Sequence, residues 1–216
     1  ESSGKKKIEN FRNTIEWLYD SKDRKFDSAE KVSEFIQEIN SRINEGITKP
    51  GTLFRTENSE KFPYTDVSLL EENLLTFSKR FLGQINYLDI GGERQRKSNV
   101  YPFLIASIHL NINFTDHYFA DGVGATAEAL ADFVSMRYGL PIMEMPDRET
   151  WFKMAPKVGE DNNERMRVFY EFVRNRITGK LDFKMGGDVV QKDGRYSMDN
   201  CSYAEFDKKG DVRDIE

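Results

Sequence analysis

From Pro102 to Phe114 the chain is apolar on almost every side. Phe103, Leu104, Ile105, Ile108, Leu110 and Ile112 leave no broad polar face for water. A helix of that composition belongs in the middle of a fold, so the rest of the chain must supply amphipathic partners to surround it. Pro102 suits the first turn, where its missing N–H costs nothing.

The partners are legible from their periodicity. Residues 5–20 place Ile8, Phe11, Ile15 and Leu18 at spacings of three and four, one stripe of a helix. A second helix starts after Asp27 or Ser28, either of which can cap it; it carries Val32, Phe35, Ile36, Ile39 and Ile43 and ends at Gly46. A third runs from about Asp66 with Leu70, Leu74, Phe77 and Phe81 and stops at Gly83. Another spans about Val123 to Tyr138 and closes at Gly139 and Pro141, and two more fall near 147–155 and 162–178. Between them, Thr48 to Tyr64 reads as a short β-hairpin or extended flap. Gln84 to Asn99, with Gly91, Gly92 and the basic stretch Arg94 to Lys97, reads as an exposed loop. Val189 to Tyr196 reads as a hairpin around Asp193 and Gly194, and the end after Asn200 as a loose tail or cut edge. The predicted fold is mainly α, a helical bundle with a small β-hairpin flap. Its predicted parts are an N-terminal helix (1–27), a core domain (28–178) and a C-terminal extension (179–216).

Composition narrows the function classes. The net charge of −5 argues against nucleic-acid phosphate as the main partner. A single cysteine, Cys201, excludes an internal disulfide framework and a cysteine-based zinc site, and fits a reducing compartment. The two histidines, His109 and His117, exclude a multi-histidine metal site; His109, inside the apolar helix, reads as a core residue. No run approaches 18 apolar residues, so no membrane span is expected. Glu1 to Lys7 is basic without an apolar stretch, so it does not read as a signal peptide; with no initiating Met, the chain reads as a fragment or a processed form.

Chemistry concentrates between Thr115 and Ala125. His117 and Asp121 stand four apart in a polar loop, and Gly122 and Gly124 flank Val123 where a new helix begins. A helix N-terminus offers unpaired N–H groups and the positive end of a dipole, and glycines let successive N–H groups curl around an anion. A carboxylate there can hold Mg2+, and a histidine can take a proton from a hydroxyl near neutral pH. A structural loop between two helices is the competing reading.

This stretch resembles the motif of the Fic family, His-Pro-Phe-x-Asp/Glu-Gly-Asn-Gly-Arg with a further Arg three positions on. His117, Phe119, Asp121, Gly122 and Gly124 match in register; Tyr118, Val123, Ala125 and Glu128 replace the Pro, the Asn and both arginines. The helix, turn and helix after the loop also resemble the family, and Pro50 to Arg55 resembles its flap, which positions a target peptide. The resemblance covers residues 28–178 and implies a Fic-like bundle that moves AMP from a nucleotide to a hydroxyl of another protein. It makes His117 the general base and Asp121 the Mg2+ ligand. Gly122, Val123 and Gly124 would bind phosphates through backbone N–H groups, with Phe54 and Arg55 on or near the flap grouped with this donor-binding set. Phe119 would anchor the loop. Such proteins include toxins and secreted effectors, which implies action in a cytoplasm, the cell's own or a host's.

The departures bear on the donor. The lost arginines grip phosphate as charged forks, and Glu128 adds a negative charge about one turn past the glycines. Two unit charges about 4 Å apart interact by about 1 kcal/mol in water and about 4 kcal/mol at an effective dielectric of 20. The sequence therefore points to a diphosphate-linked or less charged donor, or to a non-catalytic relative that binds a protein through the flap groove. Two other readings remain. His117 to Gly122 also spells His-x-x-x-Asp-Gly, which resembles chloramphenicol-acetyltransferase-like enzymes that place it at a strand end. Ser68 to Asn73 matches the pattern of the Fic inhibitory helix but falls just after the flap, and reads as an ordinary helix start.

Overall fold

The structure, a computed structural model, describes residues 3–49, 51–91, 100–154 and 162–178, with short strands at 189–192, 195–198, 204–206 and 212–214. In chain order the elements are α1 (Ser3–Asp20), α2 (Ala29–Ile43), a 3-10 turn (Val67–Leu69) running into α3 (Leu70–Ile90), and α4 (Val100–His109), which continues as a π-helical segment (Leu110–Thr115). Next come α5 (Val123–Tyr138), α6 (Arg148–Met154), α7 (Asn162–Thr178) and strands β1 (Val189–Lys192), β2 (Arg195–Met198), β3 (Ala204–Phe206) and β4 (Val212–Asp214). Among the described residues no helix is long and apolar enough to cross a membrane.

The chain divides into two compact units. One comprises Glu1–Lys79 with Ile108–Ile142, the other Arg80–Ser107 with Met143–Glu216. In the first, α1 and α2 pack on each other and both pack on α5. Phe35 anchors this packing: its ring lies 5.4 Å from Trp17, 5.1 Å from Phe26 and 4.9 Å from Phe133. The stripe predicted for α2 is buried in full, and the Ser28 hydroxyl caps it by accepting from the Lys31 N–H. In the second unit, Trp151 of α6 packs on Phe169 of α7 at 5.2 Å, and Arg176 donates to the Glu144 carbonyl. The four strands form one antiparallel sheet in chain order, with Lys192 opposite Arg195.

Helix α4 is buried along its length, as its composition demands. Its predicted continuation to Phe114 changes type: from Leu110 the helix widens, and the Asp116 N–H reaches back five residues to the Asn111 carbonyl at 3.0 Å. Helix α5 begins after Gly122 and ends before Gly139, both in the left-handed region.

Four local expectations are corrected. Gly83 does not stop α3, because Ile85 and Leu88 extend its buried stripe; their burial outweighs the roughly 1 kcal/mol that glycine costs inside a helix. Of the predicted α1 stripe Leu18 is buried and Phe11 and Ile15 are half-buried, but Ile8 is 75% exposed. The flap does not pair with itself. Residues 51–65 hold a turn, bends and irregular backbone, and among the described residues their bridge joins Phe54 to Phe119 of the motif loop. The end after Asn200 contains β3 and β4 rather than being loose throughout. The basic stretch Arg94 to Lys97 and Cys201 lie outside the described residues.

Candidate functional site

The loop between the π-helical segment and α5 is held by side chains from α2, α3 and the flap. The flap runs beside it as a partial strand: the Arg55 N–H donates to the Tyr118 carbonyl at 3.1 Å, and the Ala120 N–H donates to the Leu53 carbonyl at 3.0 Å. Phe54 stacks on the buried Phe119, ring centroids 5.8 Å apart. Phe119 thus anchors the loop, as predicted.

The Arg55 guanidinium is committed to backbone. It donates to the carbonyls of His117 (2.9 Å), Asp116 (3.2 Å), Glu57 (3.1 Å) and Thr65. One planar fork thereby fixes both flap and loop. Asp116, buried beneath, accepts from Tyr118 (2.6 Å), Thr65 (2.6 Å) and Asn73 (3.0 Å). Ser68 to Asn73 is a helix start: Asp66 accepts from the Ser68 N–H, and Asn73 points its amide at Asp116.

His117 has φ +49°, a conformation uncommon for a non-glycine residue. Arg55 on its carbonyl and Asn113 on its ring hold it there. Nδ1 lies 2.9 Å from the Asn113 carbonyl; a carbonyl only accepts, so the proton sits on Nδ1 and Nε2 keeps its lone pair. Burial lowers the imidazole pKa below its ordinary value, and the charge of Arg55 adds to this against the opposing pull of the Asn113 carbonyl. The ring is therefore neutral at physiological pH, the form a general base requires. Tyr64 lies flat on it, centroids 4.2 Å apart.

Asp121 occupies the other end of the loop. Asn40 of α2 and Asn44, which caps its C-terminus, donate to its carbonyl at 2.9 and 3.1 Å. Asn40 also donates to Thr126, whose hydroxyl donates to the Gly122 carbonyl. Its carboxylate receives the Lys7 ammonium at 2.8 and 2.7 Å and the Gly122 N–H at 2.7 Å. Burial would raise this carboxyl, but the Lys7 and Gly122 hydrogen bonds and the Lys7 charge outweigh it and hold the pKa below the usual range. Gly122 needs both its positive φ of 69° and its missing side chain, since a Cβ there would lie 2.7 Å from the Asn44 amide. Gly122, Val123 and Gly124 open α5, whose first-turn N–H groups have no acceptor within the helix. Further along α5, burial raises the Glu128 carboxyl, and burial together with the charge of Glu128 pushes Asp132 up to about 7.

Both oxygens of Asp121 accept from the Lys7 ammonium, and one accepts the Gly122 N–H as well, so a divalent ion on this carboxylate would have to displace Lys7. Beside the flap, a groove of about 530 Å³ is lined by Phe54 and Leu75 together with Glu30, Glu34, Glu71 and Glu72.

The structure brings His117, Asp121 and the 122–124 backbone onto one loop, with Phe54 and Arg55 alongside. Sequence reasoning missed Lys7, Asn40, Asn44, Tyr64, Asn113 and Asp116. The pair Asn40 and Asn44, polar residues four apart next to the apolar stripe of α2, was the available signal. Lys7 offered none, being 114 positions from its partner.

No protein-family model and no curated protein matches the chain. Among solved structures it is similar to a Fic domain containing signaling protein from Bacteroides thetaiotaomicron, with a TM-score of 0.53 and 16% identity over 85% of this chain and 77% of that one. The chain therefore has a Fic-like, mainly helical fold.

Proposed function

We propose that this Fic-like domain transfers a phosphate-linked group to a hydroxyl side chain of another protein, with His117 as general base. The observation that carries the reading is the His117 ring: its proton is fixed on Nδ1 by Asn113, its pKa is depressed, and it stands on the loop that leads into an open helix N-terminus. In the step, Nε2 of His117 takes the proton of the target hydroxyl as its oxygen attacks phosphorus. The P–O bond to the leaving phosphate breaks, and that phosphate departs with the electron pair. The first-turn N–H groups at Val123 and Gly124 would hold the phosphate oxygens of the donor. Ala125 and Glu128 offer no fork for a triphosphate, which favours a diphosphate-linked donor. A target segment would dock along Phe54, and the four glutamates beside it favour one with basic residues. The proposed place of action is a cytoplasm, the cell's own or a host's.

The test is intact mass of candidate proteins incubated with this domain and either ATP or diphosphate-linked nucleotides. The mass added names the group moved, and His117→Ala should abolish the addition. Normal AMP transfer from ATP would remove the claim that the donor has changed.

The second reading is a non-catalytic relative that binds a protein partner through the flap groove. The stacking of Tyr64 on His117 favours it, because one face of the ring is already covered. Partner binding retained in His117→Ala, with no mass added by the unsubstituted protein, would select it. Helical segments flank the loop on both sides, against the strand end that the acyltransferase reading requires.

A further inference from the structure

The geometry points to Lys7 as the resident cation of the transfer site, standing where a divalent metal would otherwise bind Asp121. This deepens the proposed function and rests on it for the role of the site. Three observations carry it. The Lys7 ammonium contacts both carboxylate oxygens of Asp121, at 2.8 and 2.7 Å, the bidentate position an ion would need. Helix α1 is docked at this end: Asn10, one turn on from Lys7, donates to the carbonyls of Ile43 and Glu45 at the end of α2. The Lys6 ammonium lies over Gly46, where a Cβ would come within 2.3 Å of it. Finally, Ala125 and Glu128 leave the first turns of α5 without a cation of their own. A lysine brought in from α1 balances the Asp121 carboxylate beside the first-turn N–H groups of α5 without requiring an ion.

An ammonium and a divalent ion cannot share these oxygens, so the inference predicts what happens when the ammonium is removed. The experiment titrates Mn2+ alone into the full chain, read by electron paramagnetic resonance. The proteins are the unsubstituted form, Lys7→Met, and Lys7→Met combined with Asp121→Asn, each first checked for folding by circular dichroism. The unsubstituted protein should bind no Mn2+ at this site. Lys7→Met should gain one equivalent once the competing ammonium is gone. The double variant should lose it. Asp121-dependent Mn2+ binding by the unsubstituted protein would overturn the inference. So would a Lys7→Met protein that folds with a lowered melting temperature and gains no Mn2+, which would make the pair a structural one. A second arm measures transfer with excess EDTA: activity should persist, and its loss would overturn the inference. If no transfer is found with any donor while Lys7→Met gains Mn2+, the transferase reading fails and the exclusion of metal by Lys7 stands.

Discussion

Tyr64 lies on His117 with the two rings 9° from parallel, and the Arg55 guanidinium sits 5.8 Å from the Tyr64 centroid. One flap residue thus shields the imidazole, and a second sets the charge around it. With only two histidines in the chain, proton NMR can resolve His117 directly. It should titrate below the ordinary histidine value, and Tyr64→Ala should move it upward by re-exposing the ring. If transfer depends on the neutral ring, its rate should hold as pH falls below 6.5 and drop only near the depressed pKa. In Tyr64→Ala the drop should come at higher pH.

Gly122 and Gly124 look alike in sequence but should respond differently to alanine. At Gly122 the left-handed backbone costs about 1–2 kcal/mol for a residue with a Cβ, and the approach of Asn44 adds to it. At Gly124 the nearest atom to a Cβ is 3.7 Å away, so alanine in this helical turn should be neutral or stabilising by up to about 1 kcal/mol. Urea unfolding measures both. Because Gly124 opens α5, Gly124→Ala should still weaken transfer if the donor approaches the backbone there.

Arg55 should tolerate no conservative exchange. A lysine cannot span the carbonyls of Thr65, Asp116 and His117 at once. Arg55→Lys should cost about 1.5–3 kcal/mol in thermal unfolding, the range for hydrogen bonds to charged groups. It should also release the His117 backbone, so kcat should fall more than KM rises.

Two groups whose pKa is shifted by burial should give stability opposite slopes with pH. His109 is held neutral by burial, its pKa pushed down to about 3. The unfolded chain binds its proton first, so this contribution is full above about 6.5 and is lost as pH falls toward 3. Asp132 is pushed up to about 7, so its contribution is full below about 3.8 and is lost as pH rises through 7. Asp132→Asn should therefore raise the melting temperature at pH 8 and barely change it at pH 4. Glu128→Gln should lower the Asp132 pKa by removing the adjacent charge.

The sequence disclosed what local periodicity and glycine placement determine. The stripe of α2 was legible because its apolar residues repeat at helical spacing, and the limits of α5 because Gly122 and Gly139 must sit where φ is positive. Gly83 misled because a glycine inside a long stripe looks the same as one that ends it. The site was half legible. His117, Asp121 and the glycines are neighbours along the chain, so their spacing shows their grouping. Lys7, Asn40 and Asn44 meet the loop only through the packing of α1 and α2 on α5, which no local pattern encodes.

The π-helical segment sets the aim of the loop by its length alone. Each residue of an α-helix turns the chain by about 100°. Between Leu110 and Thr115 the wider winding accommodates residues that an α-helix would have swung further round before His117 is reached. Deleting a single residue there could let the segment relax to ordinary winding with its hydrogen bonds intact, yet turn His117 away from Asn113 and Arg55. Insertions and deletions in this segment are therefore constrained by the direction in which the imidazole leaves the helix, a constraint that no side chain between 110 and 115 reveals by its identity.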